Sequence, residues 1–148
     1  MSDQPRDEPS VGVLFFVAYR AMEQRVVDAV RRAGFDVSLA QGRLLARIGP
    51  QGTRLTELAE SAQVTKQTAG FLVDQLEKGG YVERVPDPTD ARARLVRIAP
   101  RGRAAQDVAA RVEAQVEAEW TRHLGTREME RLRRTMRRLR EITDPYGP

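Results

Sequence analysis

The apolar positions of this chain change their period at one point, and that point dictates most of the fold. From Leu58 to Leu76 they recur at helical spacing: Leu58, Ala59 and Ala62, then Ala69, Leu72, Val73 and Leu76 at i, i+3, i+4 and i+7. After Gly79-Gly80 the pattern turns over to the β-rich segments YVERV and ARLVRIA, which flank the turn PDPTDAR. Two short helices joined tightly at Gln63-Val64 and followed by a hairpin read as a winged helix-turn-helix, here over residues 53–99. Thr56 is expected to cap the first helix and Thr65 the second. Alternation on the first strand sets Tyr81, Glu83 and Val85 against Val82 and Arg84.

Long helices flank this unit. Leu14, Ala18, Met22, Val26 and Val30 stand four apart, broadened by Phe15, Val27 and Ala29, and Gly34 offers a left-handed C-cap. Ser38 can cap a further helix through Leu39, Leu44, Leu45 and Ile48, ending at Gly49-Pro50. Beyond Pro100 and Gly102, Val108, Val112, Val116 and Trp120 repeat every four residues as far as Leu124. Thr126 then opens a last helix whose apolar seam, Met129, Leu132, Met136, Leu139 and Ile142, is narrow. The fold class expected is mainly α with a small β-hairpin wing. One domain covers residues 11–148: N-terminal helices over 11–50, the winged unit over 53–99 and C-terminal helices over 100–143. Residues 1–10 and the terminal DPYGP are expected to be disordered. The outer helices are sparse in large side chains, so helices from opposite ends of the chain should meet, within one subunit or between two.

Charge narrows the function. Net charge is +4, and of the 25 basic residues 23 are arginine and two are lysine. Codon usage explains such a skew as well as a polyanionic partner does. There is no cysteine, which removes disulfides, thiolate metal sites and thiol redox sensing. His123 is the one histidine, and a helix-end residue near carbonyls is expected of it rather than a metal ligand. The apolar run VGVLFFVA is too short to cross a bilayer, and the acidic start lacks the positive region of a signal peptide, so a cytoplasmic location is the default. No nucleophile, base and orienting acid come together and no phosphate loop is present, so no catalytic residues are assigned and an enzyme is not expected.

The second helix of the turn motif has its inward face set by Ala69, Leu72, Val73 and Leu76. Lys66, Gln67, Gly70, Phe71 and Asp74 therefore point away. Its first turn, Thr65 to Thr68, offers hydroxyls, an ammonium, an amide and free backbone N–H groups, which suit phosphates and base edges. Gln67 can pair bidentately with adenine, and Lys66 and Thr68 serve base or phosphate. On the hairpin, Arg92 and Arg94 share parity, with Arg97 opposite, and a cation at such a tip fits the narrow minor groove. Asp90 is expected to hold the Arg92 guanidinium by an ion pair.

The ordered series LA, T-x-x-T, LVDxLEKxGYVER, DPxDxR and R-G, running from Leu55 to Gly102, resembles the winged-helix core of the MarR family of bacterial transcription regulators. The resemblance implies a homodimer that binds a pseudo-palindromic stretch of double-stranded DNA, most often as a repressor. Thr65, Lys66, Gln67 and Thr68 would then lie on the recognition helix in the major groove, with Arg92 in the minor groove. Asp90 and Arg92 match the family's D-x-R wing motif, and Arg94 stands where a basic or polar residue is frequent. The terminal helices would form the dimer interface, so Arg127, Arg131, Arg133, Arg134, Arg137, Arg138 and Arg140 are expected on a solvated face rather than on DNA.

Two points depart from a simple carry-over. Where many members have a hydroxyl residue and then arginine, this chain has Gly70-Phe71. Gly70 can permit close backbone approach, and Phe71 can meet thymine methyls or pack against the neighbouring helix, with packing the expectation. Many members also hold a small aromatic or phenolic effector between the dimer helices and the DNA-binding lobe. Here Phe15, Phe16, Tyr19 and Arg20, with Leu44 and Ile48 opposite, are the candidates, Arg20 offering a partner to a carboxylate. The competing function is a winged-helix adaptor that binds protein instead of DNA through Phe71.

Overall fold

The computed structural model describes residues 8–146. Their elements, in chain order, are α1 (Val11–Arg32), α2 (Leu39–Leu45), β1 (Thr53–Arg54), α3 (Leu55–Ala62), α4 (Lys66–Lys78), β2 (Val82–Asp87), β3 (Asp90–Ile98), α5 (Pro100–Leu124) and α6 (Thr126–Thr143). Residues 1–7 of the expected disordered N-terminus lie outside the described residues, as do 147 and 148. Ser10 accepts from the Val13 N–H and starts α1.

Caps and stops readable in the sequence set most of the boundaries. Ser38 forms a full capping box with Gln41 at the head of α2. Gly34 takes φ +91° behind α1, and the Phe35 N–H reaches back to the Val30 carbonyl, closing a Schellman turn. Pro100 opens α5, where its missing N–H costs nothing. Gly102 lies so close to the main chain of Tyr81 that a Cβ there would run into the Tyr81 carbonyl oxygen.

The core sits under the winged unit. Leu44, Leu45, Leu58, Ala69, Val73, Leu76, Tyr81, Val82 and Val96 form one buried cluster, reached from above by Val30 and Ala105. At the far end of the molecule, Val116 and Met129 are buried near the α5–α6 corner. Between them α1 lies along α5, tied by the Arg25 guanidinium to Glu119.

Several expectations are corrected. Thr56 does not cap α3. The helix begins at Leu55 directly behind β1, with Arg54 in the cap position and no side-chain cap bond. That short strand pairs Thr53 with Val96 and Arg54 with Leu95, making a three-stranded antiparallel sheet of order β1-β3-β2 in place of a lone hairpin. Strict alternation also fails at the start of β2, where Tyr81 and Val82 are both buried. Tyr81 lies just ahead of the strand rather than on it: its hydroxyl accepts from the Asp36 N–H at 2.9 Å, and Arg101 stacks 4.7 Å from its ring centre. Helix α2 stops at Leu45 rather than running to Gly49-Pro50. The C-terminal stretch is fastened at its first residue, since Asp144 binds Arg47 at 2.7 Å and Arg140 at 3.0 Å.

Candidate nucleic-acid interface

Helix α4 is buried on one side only. Ala69, Val73 and Leu76 are at most 1% exposed, whereas Thr65, Lys66, Gln67 and Thr68 are open to solvent. Thr65 Oγ1 accepts from the Thr68 N–H at 3.1 Å and donates to Thr68 Oγ1 at 2.9 Å. The first turn is thereby held in one shape while Lys66, Gln67 and the remaining free N–H groups face outward. Gly70 is half-buried, and a Cβ there would meet only Leu55 Cδ2 at 3.8 Å. Phe71 does not pack against the neighbouring helix: it is 62% exposed, one turn beyond Gln67.

The wing is held to this helix by charge. Arg84 on β2 binds Asp74 at 2.7 Å and Glu77 at 2.9 Å, both on α4, and Glu77 also takes the Arg84 N–H. At the base of the turn, Asp87 is 7% exposed and carries four hydrogen-bonding contacts. The Thr89 N–H and hydroxyl bind one oxygen at 2.8 and 2.7 Å, and Arg54 Nε and a terminal nitrogen bind the other at 2.8 and 2.7 Å. The Thr89 bonds first, and Arg54 after them, hold its carboxyl down to about 2.

Asp90 acts differently from expectation. Its Oδ1 accepts the Arg92 main-chain N–H at 3.0 Å, and Oδ2 stands 4.0 Å from Arg54, so the carboxylate shapes the strand instead of gripping the Arg92 guanidinium. The turn itself is just Pro88 and Thr89, with Asp87 opposite Asp90 and an irregular register that leaves Ala91 to Ala93 without partners on β2. Arg92 and Arg94 share parity with Val96, so the face that packs onto the core at Val96 runs out beyond the body and carries cations. Both are exposed, and among the described residues neither has a carboxylate within ion-pair distance. Arg97, by contrast, is spent on Glu83 at 2.6 Å.

A second feature lies above the lobe, where α1, α2 and α5 meet. A cleft of about 320 Å³ is lined mostly by apolar groups, among them Val26, Val30, Leu45 and Ala109, with Tyr19, Glu23, Arg43 and Glu113 at polar points. Of the six side chains expected at an effector site, Tyr19 lines it, and Phe15, Phe16, Arg20, Leu44 and Ile48 do not. Phe16 is 62% exposed on the outside of α1, and Arg20 turns back to Glu23 at 3.3 Å. The guanidinium that faces the cleft is Arg43, which grips the buried Glu23 through two bonds of 3.0 Å. Burial pushes the Glu23 carboxyl up, but hydrogen bonds from Arg43, then Tyr19, outweigh it and leave it lowered. Glu113 is raised by burial and by the neighbouring charge of Glu117.

A sequence model of the MarR family matches residues 35–93, from the loop before α2 through α4 to Arg92 and one residue beyond. Over that stretch the chain is similar to the MarR family, and its fold is that of the MarR winged-helix structures. Members of the MarR family are transcription regulators, not enzymes, and the fold seen here is that of a DNA-binding regulator. Solved structures agree in fold over 90–93% of the chain. A crystal structure of MarR is 25% identical, with 91% of this chain and 98% of that one aligned at a TM-score of 0.73. MepR of S. aureus, bound to an oligodeoxyribonucleotide, is 18% identical, with 93% and 100% covered and a TM-score of 0.60. A MarR family protein of Mycobacterium tuberculosis in complex with salicylic acid is 24% identical, with 90% and 98% covered and a TM-score of 0.65. No curated protein sequence matches the chain.

Within this MarR-like lobe, sequence reasoning missed Asp87, Arg54 and Arg84. The two arginines carry no local signal, because their partners Asp87 and Asp74 lie 33 and 10 residues away. Asp87 did carry a local signal: Asp-Pro-Thr is the sequence of an Asx turn, with the side chain bonding two residues on. Among the described residues there is no metal-ligating cluster, and no helix is long and apolar enough to cross a membrane.

Proposed function

We propose that this protein is a homodimeric, sequence-specific transcriptional regulator acting in the cytoplasm, a repressor at a pseudo-palindromic operator that a small aromatic or phenolic molecule releases. The observation that carries the reading is the pairing of two unneutralised surfaces in one rigid lobe. The capped first turn of α4, Thr65 to Thr68, faces out beside a wing whose tip holds Arg92 and Arg94 free of acidic partners, and Arg84 locks the wing to the helix. In this reading Lys66, Gln67 and Thr68 enter the major groove, Gly70 lets the second turn come close, and Arg92 and Arg94 enter the adjacent minor groove. The oligonucleotide complex of MepR supports the DNA partner.

Dimerisation is supported by what one subunit leaves uncovered. Val13, Leu14, Phe16 and Val17 on α1, with Leu132, Met136 and Ile142 on α6, are between 39% and 83% exposed. Apolar surface of that extent on terminal helices calls for a partner. The cleft bounded by Tyr19 and Arg43 supports an effector site, as does the salicylic acid complex of the mycobacterial relative. A ligand there would alter how α1 and α5 sit on α2, and so the spacing of the two lobes.

Selection of bound duplexes from a random pool at physiological salt tests the reading. An inverted repeat with half-sites roughly 10 bp apart is the expected product, and failure to enrich any sequence would sink it. Arg92→Ala should weaken the selected duplex by roughly 1–3 kcal/mol. A protein adaptor, which exposed Phe71 would equally serve, predicts no enrichment and no effect of Arg92→Ala.

A further inference from the structure

The proposed regulator places an aromatic ring where its groove-facing helix is otherwise polar. Phe71 is 62% exposed, and nothing in the lobe covers it, although the same helix buries Leu72 and Val73 beside it. It lies four residues after Gln67, hence on the same face and about 6 Å further along the axis. Leaving a phenyl ring in water forgoes the gain from burying it. The surface around it is basic at Lys66 and along the wing, which suits nucleic acid better than an apolar protein face. The remaining nearby acids, Asp74 and Glu77, are already neutralised by Arg84. In the major groove the one apolar group presented by unmodified base pairs is the thymine C5-methyl.

We propose that Phe71 is a specificity-determining residue that reads a thymine methyl in each half-site, one or two base pairs from the base contacted by Gln67. The inference rests on the DNA-binding reading and goes beyond it by assigning the chemical group recognised. The shape of the helix allows the approach: Gly70 adds no side chain beside the ring, and the Thr65 cap holds the first turn while the second meets the base step.

The test removes the methyl and nothing else. In the selected operator, each thymine of the half-sites is replaced in turn by deoxyuridine, and affinity is measured for wild type, Phe71→Ala and Lys66→Ala. For wild type, one position per half-site should lose about fourfold, the value of one buried methyl-sized group, and roughly fifteenfold when both half-sites are changed. Phe71→Ala should bind the two duplexes equally, because its exposed side chain leaves the fold untouched. Lys66→Ala should bind both more weakly while keeping the ratio. Equal wild-type affinities at every position, or a ratio that survives in Phe71→Ala, would overturn the assignment. Absence of any enriched sequence would instead overturn the DNA-binding reading itself, and this inference with it.

Discussion

At the scale of single residues, what can be read locally depends on how far away the partner is. Thr65 was legible as a cap because its acceptor role is completed by Thr68, three residues on. Phe71 was not: whether it packs depends on how near the flanking helix passes, and here none covers it. Asp87 shows the same limit, for it gathers Thr89 from its own turn but Arg54 from another strand. Its depressed carboxyl makes the lobe acid-sensitive in a defined direction. The folded form loses its proton at about 2, against 3.8 for the free group, so unfolded chains take up protons first as the pH drops. The contribution is complete above about pH 4 and disappears towards about pH 2. Asp87→Asn should therefore lower stability at neutral pH and reduce the loss between pH 5 and pH 3. Urea midpoints at the two pH values measure it, and an unchanged difference would refute this role for Asp87. Asp144, also held to about 2 by Arg47 and Arg140, contributes to the pH dependence that remains, as do the lowered carboxyls of Glu23 and Glu119.

At the scale of elements, close approach matters more than propensity. Helix α5 starts where it does because Ala99 donates to the Tyr81 carbonyl at 3.0 Å and Gly102 slides flat over the same oxygen. The strand β2, the turn after α4 and the head of α5 are thus bound at one point. Gly102→Ala should raise helix propensity yet destabilise the protein by roughly 1–3 kcal/mol, since the methyl meets a carbonyl that cannot retreat without breaking that bond. Chemical denaturation against wild type decides it, and a neutral or stabilising result would show that α5 can shift. The R-G pair opening α5 was visible in the sequence. Its purpose was not, because the obstacle is a main-chain atom 21 positions earlier in the chain.

At the scale of the whole molecule, one subunit is unfinished. The first half of α1 touches little else, and the α6 seam is open at Leu132, Met136 and Ile142 even though Met129 is buried. Light scattering at micromolar concentration should return twice the 16.7 kDa chain mass. Phe16→Glu, placing a charge in the exposed apolar face of α1, should shift the protein towards monomer and cost operator affinity, because two linked half-site contacts become one. A monomeric wild type, or a Phe16→Glu dimer as tight as wild type, would count against this interface.

The amino-acid sequence by itself determined the six helices and the hairpin, though not the short strand β1 that pairs across the chain. Helical and β periods, the Ser38 and Thr65 caps, Gly34 and Pro100 act over three or four residues, so the winged helix-turn-helix and its flanking helices follow from local chemistry. Tertiary structure decided which groups are spent and which remain free. Arg54, Arg84 and Arg97 are consumed by Asp87, by Asp74 and Glu77, and by Glu83, while Arg92 and Arg94 stay exposed at the wing. Arg43 displaces Arg20 from the cleft, and Arg47 reaches Asp144 across 97 positions. In sequence these arginines are alike. Packing distinguishes them, because Arg43, Arg47, Arg54, Arg84 and Arg97 pair only where a second element brings a carboxylate within a few ångströms.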